Sequence, residues 1–456
     1  MQNSILPIII FGRSAIDKLA RHSGWLQRLS PGKALTPSIF VQALVTSIAC
    51  GQRSLRELAV EVGLLSGKTI SKQGLSKRIN ASAVDFLKQV TAEALRHAAC
   101  SATQLSGQIA RVGRILVGDS STLALHPSLA EHFPGATNQT DKAAAQMRFQ
   151  LTFDLLGGRW LQAALDPYRR NDRSAALDII DTIIRAGDLI IRDLGYASIK
   201  CFRAIEKKRA YFLSRLAPNT GVFDLDARAL DILKLARTRA PRPGDTFTKK
   251  IQLGASEHFG CRLVIIRVPK EIGDKRRRHL HEEAKRRGKK AHRKNYLALQ
   301  DWMIFVTNLD EDQATDTRLH ELYQLRWRIE NIFKLSKSHT ALLKVAGHRT
   351  NQHHAELLIW SWLLMMITLS SQGIFRLCGG AGEGDDIEAS IFKSISKVLQ
   401  WMAMSIELAC AGSIPNLMAR LICQQQYHDR YEKRKRISMP ERLANALQSN
   451  PLLLLG

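Results

Sequence analysis

Two short apolar runs, each closed by an acid, constrain this chain most. Arg114-Ile-Leu-Val-Gly-Asp119 and Asp188-Leu-Ile-Ile-Arg-Asp193 carry no helical polar stripe and read as buried strands. Met147–Leu155 and Trp160–Leu165 flank Gly157-Gly158, a hairpin signal. Asp172–Arg185 and Ile199–Lys208 read as helices, and Ala210–Ser214 as a further strand. Strands that alternate with helices predict an α/β core.

The charge balance narrows the partner. Lys plus Arg total 67 against 41 Asp plus Glu, a net charge of +26 over 456 residues. A polyanion is the expected ligand, with nucleic acid first and an anionic membrane surface second. The seven cysteines include no CxxC pair, which argues against a disulfide framework or a structural zinc site and suits a reducing cytoplasm. The apolar Ile5–Phe11 has no basic segment before it, so no secretory signal is expected. The longest apolar run, Leu357–Leu369, is too short to span a bilayer and reads as a buried helix.

The first hundred residues read as helical. Thr36-Pro37 is a helix start, and Leu55, Leu58, Ala59 and Val62 follow amphipathic spacing. The next segment carries Lys68, Lys72, Lys77 and Arg78 with no acid among them. Two short helices of which the second is basic suggest a DNA-binding helix-turn-helix; a helical bundle with a charged surface is the competing reading.

Residues 322–339 contain neither Pro nor Gly, and their apolar residues recur at helical spacing. At about 100° per residue, Tyr323, Arg326, Glu330, Lys334 and Lys337 share an arc of roughly 80°, beside a core stripe of Leu325, Ile329, Ile332 and Phe333. On this reading the helix presents one carboxylate among cations and a phenol. The spacing Tyr-x2-Arg-x3-Glu-x6-Lys resembles the signature of DDE transposases of the insertion-sequence-four family. Asp193 stands in Asp-Leu-Gly-Tyr, similar to that family's second motif, and Asp119 stands in Gly-Asp-Ser-Ser-Thr-Leu, similar to its first.

The resemblance implies a ribonuclease-H-like catalytic core with a β-rich insertion and helical N- and C-terminal regions. It implies that Asp119, Asp193 and Glu330 bind Mg²⁺, with Mn²⁺ as a substitute. It gives phosphate contacts to Tyr323, Arg326 and Lys337, to which the helical geometry adds Lys334. The expected partners are double-stranded DNA, both terminal repeats and target, and a second copy of the chain in a homodimer. Relatives pass through a DNA hairpin with a base stacked on a Trp, for which Trp302 and Trp327 are candidates, Trp302 being the better candidate for the core. No membrane and no nucleotide cofactor are expected. Gly379-Gly-Ala-Gly-Glu-Gly384 lacks Lys-Ser/Thr, precedes two Asp residues and reads as a flexible linker.

The expected layout is a DNA-binding region over 1–108, a core over 109–215 and 313–346, a β insertion over 216–312, and a helical region over 347–456. Thr246–Leu253, Arg262–Pro269 and Trp302–Asn308 read as the strands of that insertion. Between them runs the basic stretch Lys275–Lys294, from which Arg276, Arg277 and Arg286 are expected DNA contacts. Its His281-Glu282-Glu283 fails the HExxH pattern, because Lys285 stands at the second His position. Three other acids compete with the proposed ligands: Asp188 at the far end of the second strand, and Asp154 and Asp166, read as turn residues. A DNA-binding regulator, an inactive transposase derivative and a simple nuclease remain rival functions at this point.

Overall fold

The computed structural model describes residues 13–26, 35–49, 54–101, 112–136, 144–157, 159–168, 172–218, 220–286, 288, 294–324, 326 and 349–369. The chain opens with helices α1 (Arg13–His22), α2 (Pro37–Ala49), α3 (Leu55–Ser66), α4 (Lys72–Ser76) and α5 (Ala81–Ser101). Strands β1 (Arg114–Leu125), β2 (Ala145–Asp154) and β3 (Arg159–Pro167) follow, then α6 (Asp172–Thr182), β4 (Asp188–Arg192), α7 (Ile199–Lys207) and β5 (Tyr211–Arg215). Next come β6 (Val222–Phe223), α8 (Ile232–Arg239), β7 (Thr246–Leu253), β8 (Phe259–Arg267), α9 (Lys270–Arg286), α10 (Lys294–Ala298), β9 (Trp302–Thr307), α11 (Asp316–Gln324) and α12 (Gln352–Leu369).

The chain divides into two compact units, and β1 is shared between them, with 114–119 in one and 120–125 in the other. The first unit holds α1 to α5, β2, β3 and α12. Local signals set its helix ends. Ser54 and Glu57 close a capping box at the start of α3, and Gly67 ends that helix in the left-handed region at φ 66°. Trp25 stacks between Phe40 and Phe86, with ring centroids 4.6 and 5.1 Å away, and donates its indole N–H to the Arg78 carbonyl at 2.8 Å. That bond ties the segment after α4 to the bundle. Helix α12 packs on α5 and α2, and its Trp362 meets Phe149 of β2 edge to face. It is the buried helix expected from its apolar run, and Ser361 within it donates to the Leu357 carbonyl.

The β2–β3 hairpin turns through Asp154, whose Oδ1 accepts from the backbone N–H groups of Leu156 and Gly157. Asp154 is therefore a turn former, as read from the sequence. Asp166 is not: it lies inside β3, buried, opposite Arg148. The Pro that follows it is the last residue of the strand, and the turn comes after it.

In the second unit the strand order is β1-β4-β5-β9-β8-β7-β6. Strands β1, β4 and β5 run parallel, β9 is antiparallel to β5, and β8, β7 and β6 continue antiparallel. The strands after residue 216 thus extend the same sheet. Phe202 of α7 stacks on Phe212 of β5 at 4.2 Å, and Phe259 of β8 leans on both.

Strand β1 is longer than the apolar run that announced it. Ser120, Ser121 and Thr122 continue it to Leu125, so Asp119 sits within a strand and not at its end. Small and β-branched polar residues are compatible with extended backbone, and β2 supplies the neighbouring strand. Among the described residues no helix is long and apolar enough to cross a membrane.

Candidate active site

The site is built by strand register. β1 pairs with β4 from Arg114 opposite Asp188 to Gly118 opposite Arg192. One further step sets Asp119 beside Asp193. Aligned residues of neighbouring strands share a face and lie about 4.8 Å apart. The burial pattern changes at this step: residues 114–118 and 188–192 are buried, whereas Asp119 and Asp193 are half-exposed. Asp193 is extended (φ −76°, ψ 167°) and starts one turn of 3-10 helix over Leu194–Tyr196. Its side chain makes no capping bond there.

One residue back, on the opposite face, Gly118 lies against Arg192. A Cβ at Gly118 would stand 3.1 Å from Arg192 Nε, so the close pairing of these two strands suits glycine here. The Arg192 guanidinium lies 5.0 Å from the ring centre of Tyr196, the Tyr of the Asp-Leu-Gly-Tyr motif. That motif's aromatic therefore packs under the site rather than in it.

The row continues into β5. Its pairing with β4 runs from Leu189 opposite Tyr211 to Ile191 opposite Leu213, and two more steps bring Arg215 beside Asp193. Arg215 in turn faces Phe305 of β9. Asp119, Asp193, Arg215 and Phe305 thus form one row across four strands. The Phe305 ring touches Tyr323 of α11, with centroids 5.0 Å apart. Arg215 carries no motif in the sequence; only its position two residues past an apolar strand pairing with Asp193's strand could have singled it out.

Helix α11 departs from the helical wheel drawn on the sequence. It begins at Asp316 and ends at Gln324, and Arg326 lies in a turn whose N–H bonds the Tyr323 carbonyl at 3.2 Å. Tyr323 is buried with Leu319 and Leu322 and does not lie on a polar stripe. The wheel started at Leu322 and missed Leu319, whose burial sets the inward face. The Arg326 guanidinium lies 5.5 Å from the Tyr323 ring centre. Burial raises the Tyr323 phenol; Arg326 and Arg215 oppose that shift, while Asp193 adds to it. The hydroxyl makes no well-formed hydrogen bond among the described residues. Glu330, Lys334, Lys337 and Trp327 lie outside the described residues.

The other expected DNA contacts separate by environment. Lys72, Lys77 and Arg78 are exposed on and after α4, and Arg286 is exposed at the end of α9. Arg277 is committed to carboxylates: it bonds Asp301 at 2.5 Å and Asp274 at 2.7 Å. Arg276 points inward and donates Nη1 to the carbonyls of Gln300 (3.3 Å) and Trp302 (3.2 Å). On a helix these side chains diverge by about 100° per residue, so a run of consecutive cations cannot face one way. Trp302 belongs to the core, with its indole N–H on the Ala240 carbonyl at 2.8 Å and Arg267 over its ring.

Two adjacent carboxylates are hard oxygen donors of the type divalent cations such as Mg²⁺ take. Like charges so close disfavour each other unless a cation lies between them, so the pair fits a metal ion. Among the described residues no cluster of three or more His, Cys, Asp or Glu occurs, and the third carboxylate expected from the sequence, Glu330, is not among them.

Comparison with known proteins agrees with this chemistry. The chain belongs to the family described as the transposase DDE domain, whose model matches residues 110–366, more than half of the chain. It is 26% identical to a transposase for insertion sequence element IS231F of Bacillus thuringiensis subsp. israelensis, over 92% of this chain and 90% of that one. It is 24% identical to a transposase for insertion sequence element IS1151 of Clostridium perfringens, over 86% and 84%. Among solved structures it is similar to a piggyBac transposase synaptic complex with hairpin DNA, at 11% identity and a TM-score of 0.42, over 96% of this chain and 88% of that one. The activity of this chain is DNA transposition, and the family's chemistry uses divalent metal.

Proposed function

We propose that this transposase cleaves DNA at the ends of its own insertion sequence and joins the freed ends to target DNA, using Asp119, Asp193 and Glu330 on a ribonuclease-H-like core. The observation that carries the reading is the register that sets Asp119 beside Asp193 on neighbouring parallel strands. Mg²⁺, or Mn²⁺ in its place, would be held by these carboxylates and would neutralise charge on the phosphate while favouring deprotonation of the attacking hydroxyl.

The chain's own groups orient the reaction. In cleavage a water oxygen bonds to phosphorus, the bond from phosphorus to the 3′ oxygen breaks, and the element's strand ends in a 3′-hydroxyl. In joining, that hydroxyl bonds to a target phosphorus and the target's own 3′ oxygen leaves. Arg326 offers a forked guanidinium to a phosphate, and Lys334 and Lys337 offer point charges. The Tyr323 ring lies 5.5 Å from the Arg326 guanidinium, which supports a role for its hydroxyl in donating to a phosphate oxygen. Its ring is held against Phe305, so hydrogen bonding rather than base stacking is its proposed role.

Exposed Lys72, Lys77 and Arg78 suit binding of the terminal repeats, and exposed Arg286 suits a backbone contact. The Tyr-Arg-Glu-Lys spacing supports membership of the insertion-sequence-four group. We place the reaction in a bacterial cytoplasm, with a homodimer bridging the two ends.

The test is cleavage of labelled DNA carrying the element's terminal repeats, with Mg²⁺, by wild type, Asp193→Asn and Glu330→Ala. Metal-dependent cutting at the repeat boundary by wild type alone is expected. Equal cutting by Glu330→Ala would remove that residue from the site.

A further inference from the structure

We propose that Arg215, Arg276 and His320 form a second phosphate-binding position beside the aspartate pair, which grips the DNA backbone next to the cleavage point. The inference rests on the transposase reading above and adds a subsite to it.

Strand pairing places the first two groups. Leu216 donates to the Ile304 carbonyl at 2.9 Å, and this is where β5 leaves β9. Two residues earlier on β9, the Trp302 carbonyl points to the same side, because alternate carbonyls of a strand share a direction. Arg276 Nη1 takes that carbonyl, together with Gln300's. The guanidinium thus fills the place that a continued β5 would occupy, at the end of the strand that carries Arg215. Helix α11 carries His320 one turn before Tyr323, with its Nε2 3.2 Å from the Gln324 side-chain amide, and Arg276 is among the charges that act on it.

The acid nearest this place in the row is Asp193, beside Arg215, and it belongs to the carboxylate pair. Arg215 and Arg276 are both half-buried, and neither has a carboxylate partner among the described residues. Their neighbour Arg277, by contrast, is held by two aspartates. Burial and the nearby Arg215 push Arg276 down to about 10, and burial and Arg276 lower His320. Arg276 is a half-buried guanidinium with no ion pair among the described residues and a second arginine nearby, which is unfavourable until an anion arrives. Only part of the Arg276 fork is used by the two carbonyls, and the rest remains to donate to an oxyanion. The anion that this enzyme meets at this place is a DNA phosphate.

The experiment measures binding in the absence of divalent metal, so that catalysis does not enter. Labelled duplexes carrying the terminal repeat are made with single methylphosphonate replacements along each strand. Wild type is expected to lose about tenfold in affinity at one or two phosphates adjoining the cleavage position, as for loss of a charged hydrogen bond. Arg215→Gln with Arg276→Gln should weaken unmodified DNA by a similar factor, flatten the salt dependence by about one phosphate, and abolish the methylphosphonate penalty at that position alone. Arg276→Lys, which keeps a charge and a carbonyl donor, guards against a folding defect and should retain most of the affinity. If the double variant melts like wild type and every methylphosphonate penalty persists, the subsite is refuted while the transposase reading stands. If wild type shows no preference for terminal-repeat DNA, the parent reading fails, and the subsite with it.

Discussion

The same pair of strands carries two opposite arrangements at its two ends. At the start of β1 and β4, Arg114 and Asp188 face each other in register and are locked: Nε to Oδ1 at 2.8 Å, Nη2 to Oδ2 at 2.5 Å. Arg114 also donates to the Ile183 carbonyl, and Asp188 accepts the Arg185 backbone N–H. Five residues on, the register sets two carboxylates side by side, at the point where the strands emerge toward solvent. One end is an ion pair whose fork and lone pairs are used within the protein. The other brings two carboxylates level on neighbouring strands, the arrangement proposed above to hold a metal ion. An acid at a strand end says little by itself; the residue across from it decides whether it holds the fold or serves the reaction.

The largest expected effect comes from neutralising the outer end. Asp193→Asn or Asp119→Asn should lower metal-dependent cleavage by more than about 10²-fold, beyond the loss typical of a residue that merely supports a metal ligand. For Asp193→Asn the melting temperature should stay level or rise, since like-charge repulsion is relieved. A drop in melting temperature with retained cutting would reverse the roles of the two ends.

Breaking the inner end should do the opposite. Asp188→Ala leaves Arg114 buried and uncompensated, and a loss of about 3–5 kcal/mol is expected in urea unfolding. Cleavage per folded molecule should remain within a few-fold of wild type. The joint replacement Arg114→Met with Asp188→Leu should recover much of that stability, because apolar pairs of similar size substitute well for buried ion pairs.

Tyr323→Phe sharpens the outer end. The hydroxyl contributes no well-formed hydrogen bond within the described residues, so stability should change by less than about 0.5 kcal/mol. Cleavage should fall roughly 10-fold if the hydroxyl serves a phosphate in the reaction. Unchanged rates would leave Tyr323 as a packing partner of Phe305.

The smallest effect separates two arginines of α9. Arg286→Ala should reduce the salt dependence of DNA binding by about one phosphate with stability unchanged. Arg277→Ala should leave that slope alone and cost roughly 1 kcal/mol of stability, discounted because the pair is partly exposed. A slope change for Arg277 alone would show that its aspartates release it to DNA.

Much of the fold was legible before any coordinates. The buried runs at Ile115–Val117 and Leu189–Ile191, the hairpin at Gly157, the strand Thr246–Leu253 and the start of α2 at Pro37 all depend on neighbours a few residues away. Less legible were Asp166, hidden inside a strand by an adjoining Pro, and the inward turn of Tyr323 and Arg276. Each depends on which distant segment packs against it. The rest of the expected signature helix, with Glu330, Lys334 and Lys337, and the expected helix Ile387–Ala411 with the glycine run before it, lie outside the described residues.

Sequence alone determined the cationic character of the chain, the two buried strands and the acids that close them, because burial and charge are written in residue type and local spacing. Tertiary structure decided which of those acids meet. Register between strands β1 and β4, some seventy residues apart in the chain, pairs Arg114 with Asp188 through to Gly118 with Arg192, and one step further brings Asp119 level with Asp193. It also brings Arg215, which bears no motif, into the same row. Backbone hydrogen bonding between distant strands is what fixes that register, and no local pattern encodes it.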